Sequence, residues 1–194
     1  MHHGNTLELV WTITPACVLW AIGIPSLRLL YLMDEIIDPE VTVKVMGSQW
    51  FWYYSYYHEV GVGWNESYLM DSDELDDGEL RQLAVDNYLV LPINTSIRLL
   101  VSSNDVIHSF ALPSLALKVD AIPGRLNGVG LIINRPSLFY GQCSELCGVL
   151  HGFMPIGIHA VNIPSCLVLW LSKAALCLCS CSSCYSLTTS ALLP

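Results

Sequence analysis

Between Leu7 and Met33 the chain reads LELVWTITPACVLWAIGIPSLRLLYLM, and only Glu8 and Arg28 in that stretch carry charge. About 20 consecutive apolar residues suffice to cross the hydrocarbon core of a bilayer as a helix. This run therefore constrains the fold more than any other, and Leu9 to Leu30 is predicted to form one transmembrane helix. A secretory signal would need a basic start, a shorter apolar region and a small-residue cleavage pattern, and the run has none of these. Pro15 and Pro25 would break a soluble helix, yet prolines are tolerated in membrane helices whose freed backbone groups find local partners.

After Asp38 and Pro39 the pattern changes to period-two alternation rich in β-branched and aromatic residues, beginning with Val41–Met46. Such runs, bounded by Gly, Pro, Asn and Asp, read as strands. Further candidates are Trp50–His58, Asn87–Leu91, Ser96–Ser102, Val106–Leu112, Gly128–Ile133 and Pro155–Val161. Their close spacing predicts a mainly β domain, a sandwich or Greek-key barrel. The expected organisation is a membrane helix over 1–35, a β domain over 36–162 and a Cys-rich apolar extension over 163–194. Within that extension, Cys166–Leu178 is short for a span and is interrupted by Lys173.

The chain has 194 residues and a formal net charge of −9, with 53% hydrophobic and only 13% charged residues. Soluble domains carry about 25% charged residues, so part of the chain belongs in a non-aqueous setting. The length excludes a large multidomain enzyme. The acidity excludes nucleic-acid binding, which depends on a basic stripe, and favours a basic partner. It is concentrated: thirteen acidic residues lie between Asp34 and Asp86 against Lys44 and Arg81. Asp71, Asp73, Glu74, Asp76, Asp77 and Glu79 form an acidic stretch expected to be a long exposed hairpin loop. Such a run is either a solvated face or a device that steers a cationic partner.

Two of the eight cysteines sit in Gly141-Gln-Cys-Ser-Glu-Leu-Cys-Gly-Val-Leu-His-Gly-Phe-Met154, which spaces Cys143, Cys147, His151 and Met154 as C-x3-C-x3-H-x2-M. Thiolates with imidazole select copper over hard cations, and a weak axial Met is characteristic of copper electron-transfer sites. The second thiolate is able to bridge two copper ions. Two coppers need more terminal ligands than this loop offers, and His108, at the start of an apolar strand, is the natural source. A Cys143–Cys147 disulfide and a zinc site built on Cys143, Cys147 and His151 are alternatives. Neither accounts for Met154.

These segments resemble subunit II of cytochrome c oxidase, the haem-copper terminal oxidase of respiration. The resemblance rests on Trp11-Thr-Ile-Thr-Pro15 with Pro25-Ser-Leu-Arg28, Gly47-Ser-Gln-Trp-Phe-Trp-Tyr53, Val101–His108 through Ala121–Asn127, and Tyr140–Cys147 to Met154-Pro155. It implies a cupredoxin-like domain holding the binuclear copper centre CuA. Cys143 and Cys147 would bridge the coppers, His108 and Met154 completing one, His151 and the backbone carbonyl of Glu145 the other. The Glu145 side chain would reach a magnesium ion shared with subunit I, as suits a hard cation. Trp50 matches the tryptophan that receives the electron from cytochrome c. Asp105 and the Asp71–Glu79 loop would dock that basic donor. Glu8 matches a glutamate near the entrance of the K proton pathway; other rings of WFWYYSYY, including Trp52, read as core or interfacial belt.

The resemblance further implies a place in the mitochondrial inner membrane, in preference to a bacterial plasma membrane, with the β domain facing the intermembrane space. Oxidase subunit I and other oxidase subunits are the expected partners. Subunit II normally has two membrane helices, of which this sequence carries the second; the first is either truncated away or, as the favoured expectation, carried by a separate chain. The Cys-rich tail, Cys177-Leu-Cys-Ser-Cys-Ser-Ser-Cys184, does not resemble the family and reads as an extension. The alternatives for function are a CuA or zinc-binding module serving another acceptor, and a degenerate structural subunit.

Overall fold

Alternation of apolar and polar residues drives the β region to bury one face of each strand against an opposing sheet. The structure, a computed structural model, describes residues 4–34, 38–56 and 64–179, with side chains as far as 172. The predicted strand end at His58 and the tail cysteines Cys181 and Cys184 lie outside the described residues. The chain divides into two compact units between Ile37 and Asp38.

The first unit is a single helix, α1 (Asn5–Asp34), of 30 residues with Pro15 and Pro25 inside it and no buried residue. At about 1.5 Å per residue it extends roughly 45 Å, more than the roughly 30 Å a bilayer core requires. It is long and apolar enough to cross a membrane. Glu8 sits in its first turn, where a carboxylate complements the positive end of the helix dipole, and Thr12 Oγ1 donates to the Glu8 carbonyl at 2.8 Å.

The second unit is a sandwich of two five-stranded sheets. Its strands are β1 (Val41–Ser48), β2 (Phe51–Tyr56), β3 (Asn65–Ser67), β4 (Leu89–Pro92), β5 (Ile97–Ser103), β6 (His108–Leu112), β7 (Leu117–Ala121), β8 (Asn127–Leu131), β9 (Ser137–Cys143) and β10 (Pro155–Val161). One sheet runs β3-β2-β1-β5-β8 and the other β4-β10-β9-β6-β7. β1 pairs parallel with β5, and β10 parallel with β4; the remaining ladders are antiparallel. Val43, Val45, Trp52, Leu99 and Val101 from the first sheet meet Phe110, Leu112, Ile156 and Ile158 from the second in one core cluster, all fully buried. The β6–β9 ladder, which pairs Phe110 with Cys143, closes so tightly that a β-carbon at Gly141 would stand 2.0 Å from the Ala111 carbonyl oxygen. Only glycine fits there.

The acidic stretch lies between β3 and β4 as an exposed loop. An antiparallel bridge from Leu69 to Val85 closes it, and it turns back on itself through Glu74 N to Asp71 O at 3.0 Å and Glu79 N to Asp76 O at 3.1 Å. A second helix, α2 (Ile163–Cys179), follows β10. Its Cys166 is buried, and its Trp170 donates from Nε1 to the Val90 carbonyl at 3.2 Å while packing on Tyr56 at 4.9 Å between ring centroids.

Candidate metal centre

The centre forms where three strand ends and one loop converge. β6 opens with His108, β9 closes with Cys143, β10 follows Met154 directly, and the loop from Ser144 to Phe153 supplies Cys147 and His151. The loop is stapled to β6 by Ser144 N to Ser109 O at 3.1 Å, and a 3-10 turn over His151–Phe153 brings its end back.

The donors face one another in one cluster. Cys143 Sγ lies 3.9 Å from His108 Nδ1, 4.0 Å from Cys147 Sγ and 3.4 Å from the Glu145 carbonyl oxygen. Cys147 Sγ is 3.5 Å from His151 Nδ1 and 3.5 Å from Met154 Sδ. His108, Cys143, Cys147 and Met154 are buried, whereas His151 is half-buried and the Glu145 side chain is exposed. The donor atoms of His108, Cys143 and Cys147 all fall within 4.8 Å of one another.

This arrangement discriminates among the chemistries the sequence left open. A disulfide requires about 2.05 Å between sulfurs, so at 4.0 Å the two thiols are free. Tetrahedral zinc closes on four nitrogen and sulfur ligands and has no use for a buried thioether or for a backbone carbonyl. Two thiols, two imidazoles, a thioether and a carbonyl around one pocket fit soft, copper-type coordination.

The electrostatics treat the donors unequally. His108 Nε2 lies 2.8 Å from Asp105 Oδ1, so Nε2–H donates to the carboxylate and, in the neutral ring, the Nδ1 lone pair faces the thiols. Burial opposes the charge on both partners, but their mutual contact outweighs it. His108, with Cys143 also at its ring, is held above its ordinary pKa, and Asp105, with the Gln49 and Val106 amides, below its own. Burial likewise disfavours the Cys143 thiolate, yet His108 and nearby backbone groups bring that thiol down to about 7. Burial and the neighbouring Cys143 charge push Cys147 up to about 12.

Of the residues the sequence singles out, the structure gathers His108, Cys143, Cys147, His151, Met154 and the Glu145 carbonyl into this centre. Asp105 lies on its rim, its side chain 29% exposed, and Trp50 sits in the turn between β1 and β2, half-buried against the core. Asp71, Asp73, Glu74, Asp76 and Asp77 lie on the exposed loop between β3 and β4, and Glu8 belongs to the other unit.

Two contributors escaped the sequence reading. Trp52, read as core or interfacial belt, donates from Nε1 to the Met154 carbonyl at 3.3 Å and packs edge-on against His108 at 6.0 Å, bracing two of the donor residues at once. Gln49, to which no role was attached, donates from its amide N to Asp105 Oδ2 at 2.7 Å and from Nε2 to the Cys147 carbonyl at 2.7 Å.

Comparison with known proteins agrees with this geometry. The family described as cytochrome c oxidase subunit II, periplasmic domain, matches residues 41–161, and cytochrome c oxidase subunit II, transmembrane domain, matches residues 1–29. Cytochrome c oxidase subunit 2 of Mycosarcoma maydis is 54% identical over 90% of this chain and 69% of its own length. That of Metridium senile is 55% identical over 82% of this chain and 65% of its own length. The crystal structure of the periplasmic domain of cytochrome oxidase subunit II of Bradyrhizobium japonicum superposes with a TM-score of 0.65 at 42% identity, covering 73% of this chain and 98% of that one. Its cupredoxin-like domain is the fold that the resemblance implies, and the strand pattern predicts a sandwich or Greek-key barrel of this kind. On these grounds the chain belongs to the cytochrome c oxidase subunit II family, membrane-anchored subunits of an oxidoreductase complex.

Proposed function

We propose that the chain is the electron-transfer subunit of a haem-copper respiratory oxidase. It accepts electrons from cytochrome c at a CuA centre and passes them to the haem of subunit I, where oxygen is reduced to water with proton pumping. One observation carries the reading: six sulfur, imidazole or carbonyl donors from three strand ends and one loop converge on one mostly buried cluster, with pair distances of 3.4 to 4.0 Å. Cys143, Cys147, His108, His151, Met154 and the Glu145 carbonyl would hold the copper. Copper held there would supply a one-electron carrier, and ligands preorganised by the sandwich would not need to move on reduction.

The chain's own residues serve that task in three ways. The sandwich holds the ligands rigid, because β6, β9 and β10 are paired in one sheet and preorganised ligands need not move. Asp105 fixes the His108 tautomer, and Trp52 clamps the loop. Trp50, beside the ligand loop, is positioned to relay the electron from the donor. Asp105 and the loop with Asp71, Asp73, Glu74, Asp76 and Asp77 offer negative charge to a basic protein, raising the encounter rate.

Leu146 and Val149 on the ligand loop are 79% and 88% exposed, and apolar surface beside a buried redox site suits contact with subunit I. The exposed Glu145 carboxylate is then free to ligate a magnesium ion at that boundary, and Glu8 to stand at the mouth of a proton path. The family and the apolar α1 support a place in the mitochondrial inner membrane, with the β domain in the intermembrane space. Rapid mixing of the oxidised chain with reduced cytochrome c tests the reading. Oxidation of the donor with one electron taken up per chain is expected, and a donor that stays reduced would overturn it.

A further inference from the structure

We propose that Gln49 is a positioning residue that locks the Trp50 indole against the metal-binding loop, an inference that rests on the function given above and concerns how the electron reaches the site. The turn between β1 and β2 is held at both ends of Gln49. Its main-chain amide donates to Asp105 Oδ2 at 2.7 Å, and Asp105 in turn receives His108 Nε2 at 2.8 Å. Its side-chain amide donates to the carbonyl of Cys147 at 2.7 Å. One residue therefore ties the turn to two different ligands, one on β6 and one on the loop, 98 positions away from the latter in sequence.

Trp50 itself has no such anchor. Its Nε1 is buried without a hydrogen-bond partner among the described residues, so packing alone fixes the ring. The floor it packs on is Gly148, next to Cys147: a β-carbon there would stand 3.2 Å from Trp50 Nε1, 3.2 Å from Trp50 Cζ2 and 3.2 Å from Gln49 Nε2. Gly148 has φ +133°, a conformation that side chains disfavour. The indole and the Gln49 amide thus lie side by side on the bare backbone that follows a metal ligand. Removing the Gln49 amide frees the turn at its loop side and leaves the indole no polar restraint of its own.

The test uses the full chain in detergent, labelled with 5-fluorotryptophan, in which Trp50→Phe assigns one of the six tryptophan resonances. In the metal-free chain, Gln49→Ala and the isosteric Gln49→Glu, which loses the donor, are both expected to move the Trp50 resonance toward its solvent-exposed value while the other five stay in place. In the copper-loaded chain the rate constant at saturating cytochrome c is expected to fall about tenfold, within the range that ångström-scale misplacement produces. The copper EPR spectrum and the salt dependence of the reaction are expected to stay unchanged. An unmoved Trp50 resonance, or an unchanged saturating rate, would overturn the proposal. So would a loss that appears only as weaker donor affinity, or a shift of all six resonances in both variants, which would give Gln49 a general structural role. A wild-type chain that loads no mixed-valence copper defeats the function proposed above alone, because the metal-free spectra still decide the role of Gln49.

Discussion

The Asp105 carboxylate stands 2.8 Å from Nε2 of His108, while the Nδ1 of the same ring faces Cys143 Sγ at 3.9 Å. An acidic residue that the sequence offers as a docking charge is thus also the group that aims the His108 ring at the candidate centre. Its other oxygen accepts from the Gln49 amide at 2.7 Å, so both of its oxygens are in use as acceptors.

Asparagine at this position can serve only one of those two sides, since its amide nitrogen donates. Asp105→Asn is therefore expected to lower copper affinity about 10-fold to 100-fold, the usual cost of losing an outer-shell partner. Competition titration against a chelator measures this. An affinity equal to wild type would leave Asp105 with docking alone.

Trp50 is no ligand and its Nε1 makes no hydrogen bond among the described residues, so its removal need not disturb the centre. Trp50→Ala is expected to slow reduction by cytochrome c by about 100-fold, the scale on which a lost positioned group acts, with the copper EPR spectrum intact. Stopped-flow mixing reads the rate, and a rate equal to wild type would remove Trp50 from the electron path.

Steering by charge is screened over about 8 Å at physiological ionic strength. Replacing Asp71, Asp73, Glu74, Asp76 and Asp77 by their amides is expected to lower the low-salt association rate about tenfold and to flatten its dependence on salt. An unchanged slope would make the loop a solvated turn and nothing more.

Metal loading needs both thiols as thiolates. With Cys143 brought to about 7 and Cys147 pushed up to about 12, the metal-free pair retains one proton between those values, and loading expels it. Apparent copper affinity is therefore expected to rise by about tenfold per pH unit from about pH 7 to about pH 9, the slope for one released proton. It falls more steeply toward and below the lower end of that window, where Cys143 takes up its own proton and His108, held above its ordinary pKa, carries one as well. Chelator competition across the range measures the slope, and a flat profile would contradict it.

Much of this was legible in the sequence because the chemistry is local. Cys143, Cys147, His151 and Met154 lie within one short loop, and an apolar run such as Leu7–Met33 has few alternatives to a helix. The strands that escaped notice have weaker signals. β9 follows Arg135-Pro136 and contains Gly141, residue types that weaken a strand pattern, although that glycine is what lets β9 approach β6. β3 is three residues long, and β7, LKVDA, carries two charges. The parallel pairing of β1 with β5 is a long-range choice that no local pattern encodes. The same holds for Gln49: a glutamine in a turn carries no signal until the fold brings residue 147 to its amide. Asp105 was noticed for its charge, whereas its contact with His108 depends on the bend between β5 and β6.

Copper quantification with EPR on the purified chain or oxidase tests the central claim most directly. Two coppers per chain sharing one unpaired spin, lost together when Cys143 or Cys147 is replaced by serine, is the result expected from this donor set. A mononuclear copper signal, or stoichiometric zinc in place of copper, would contradict it.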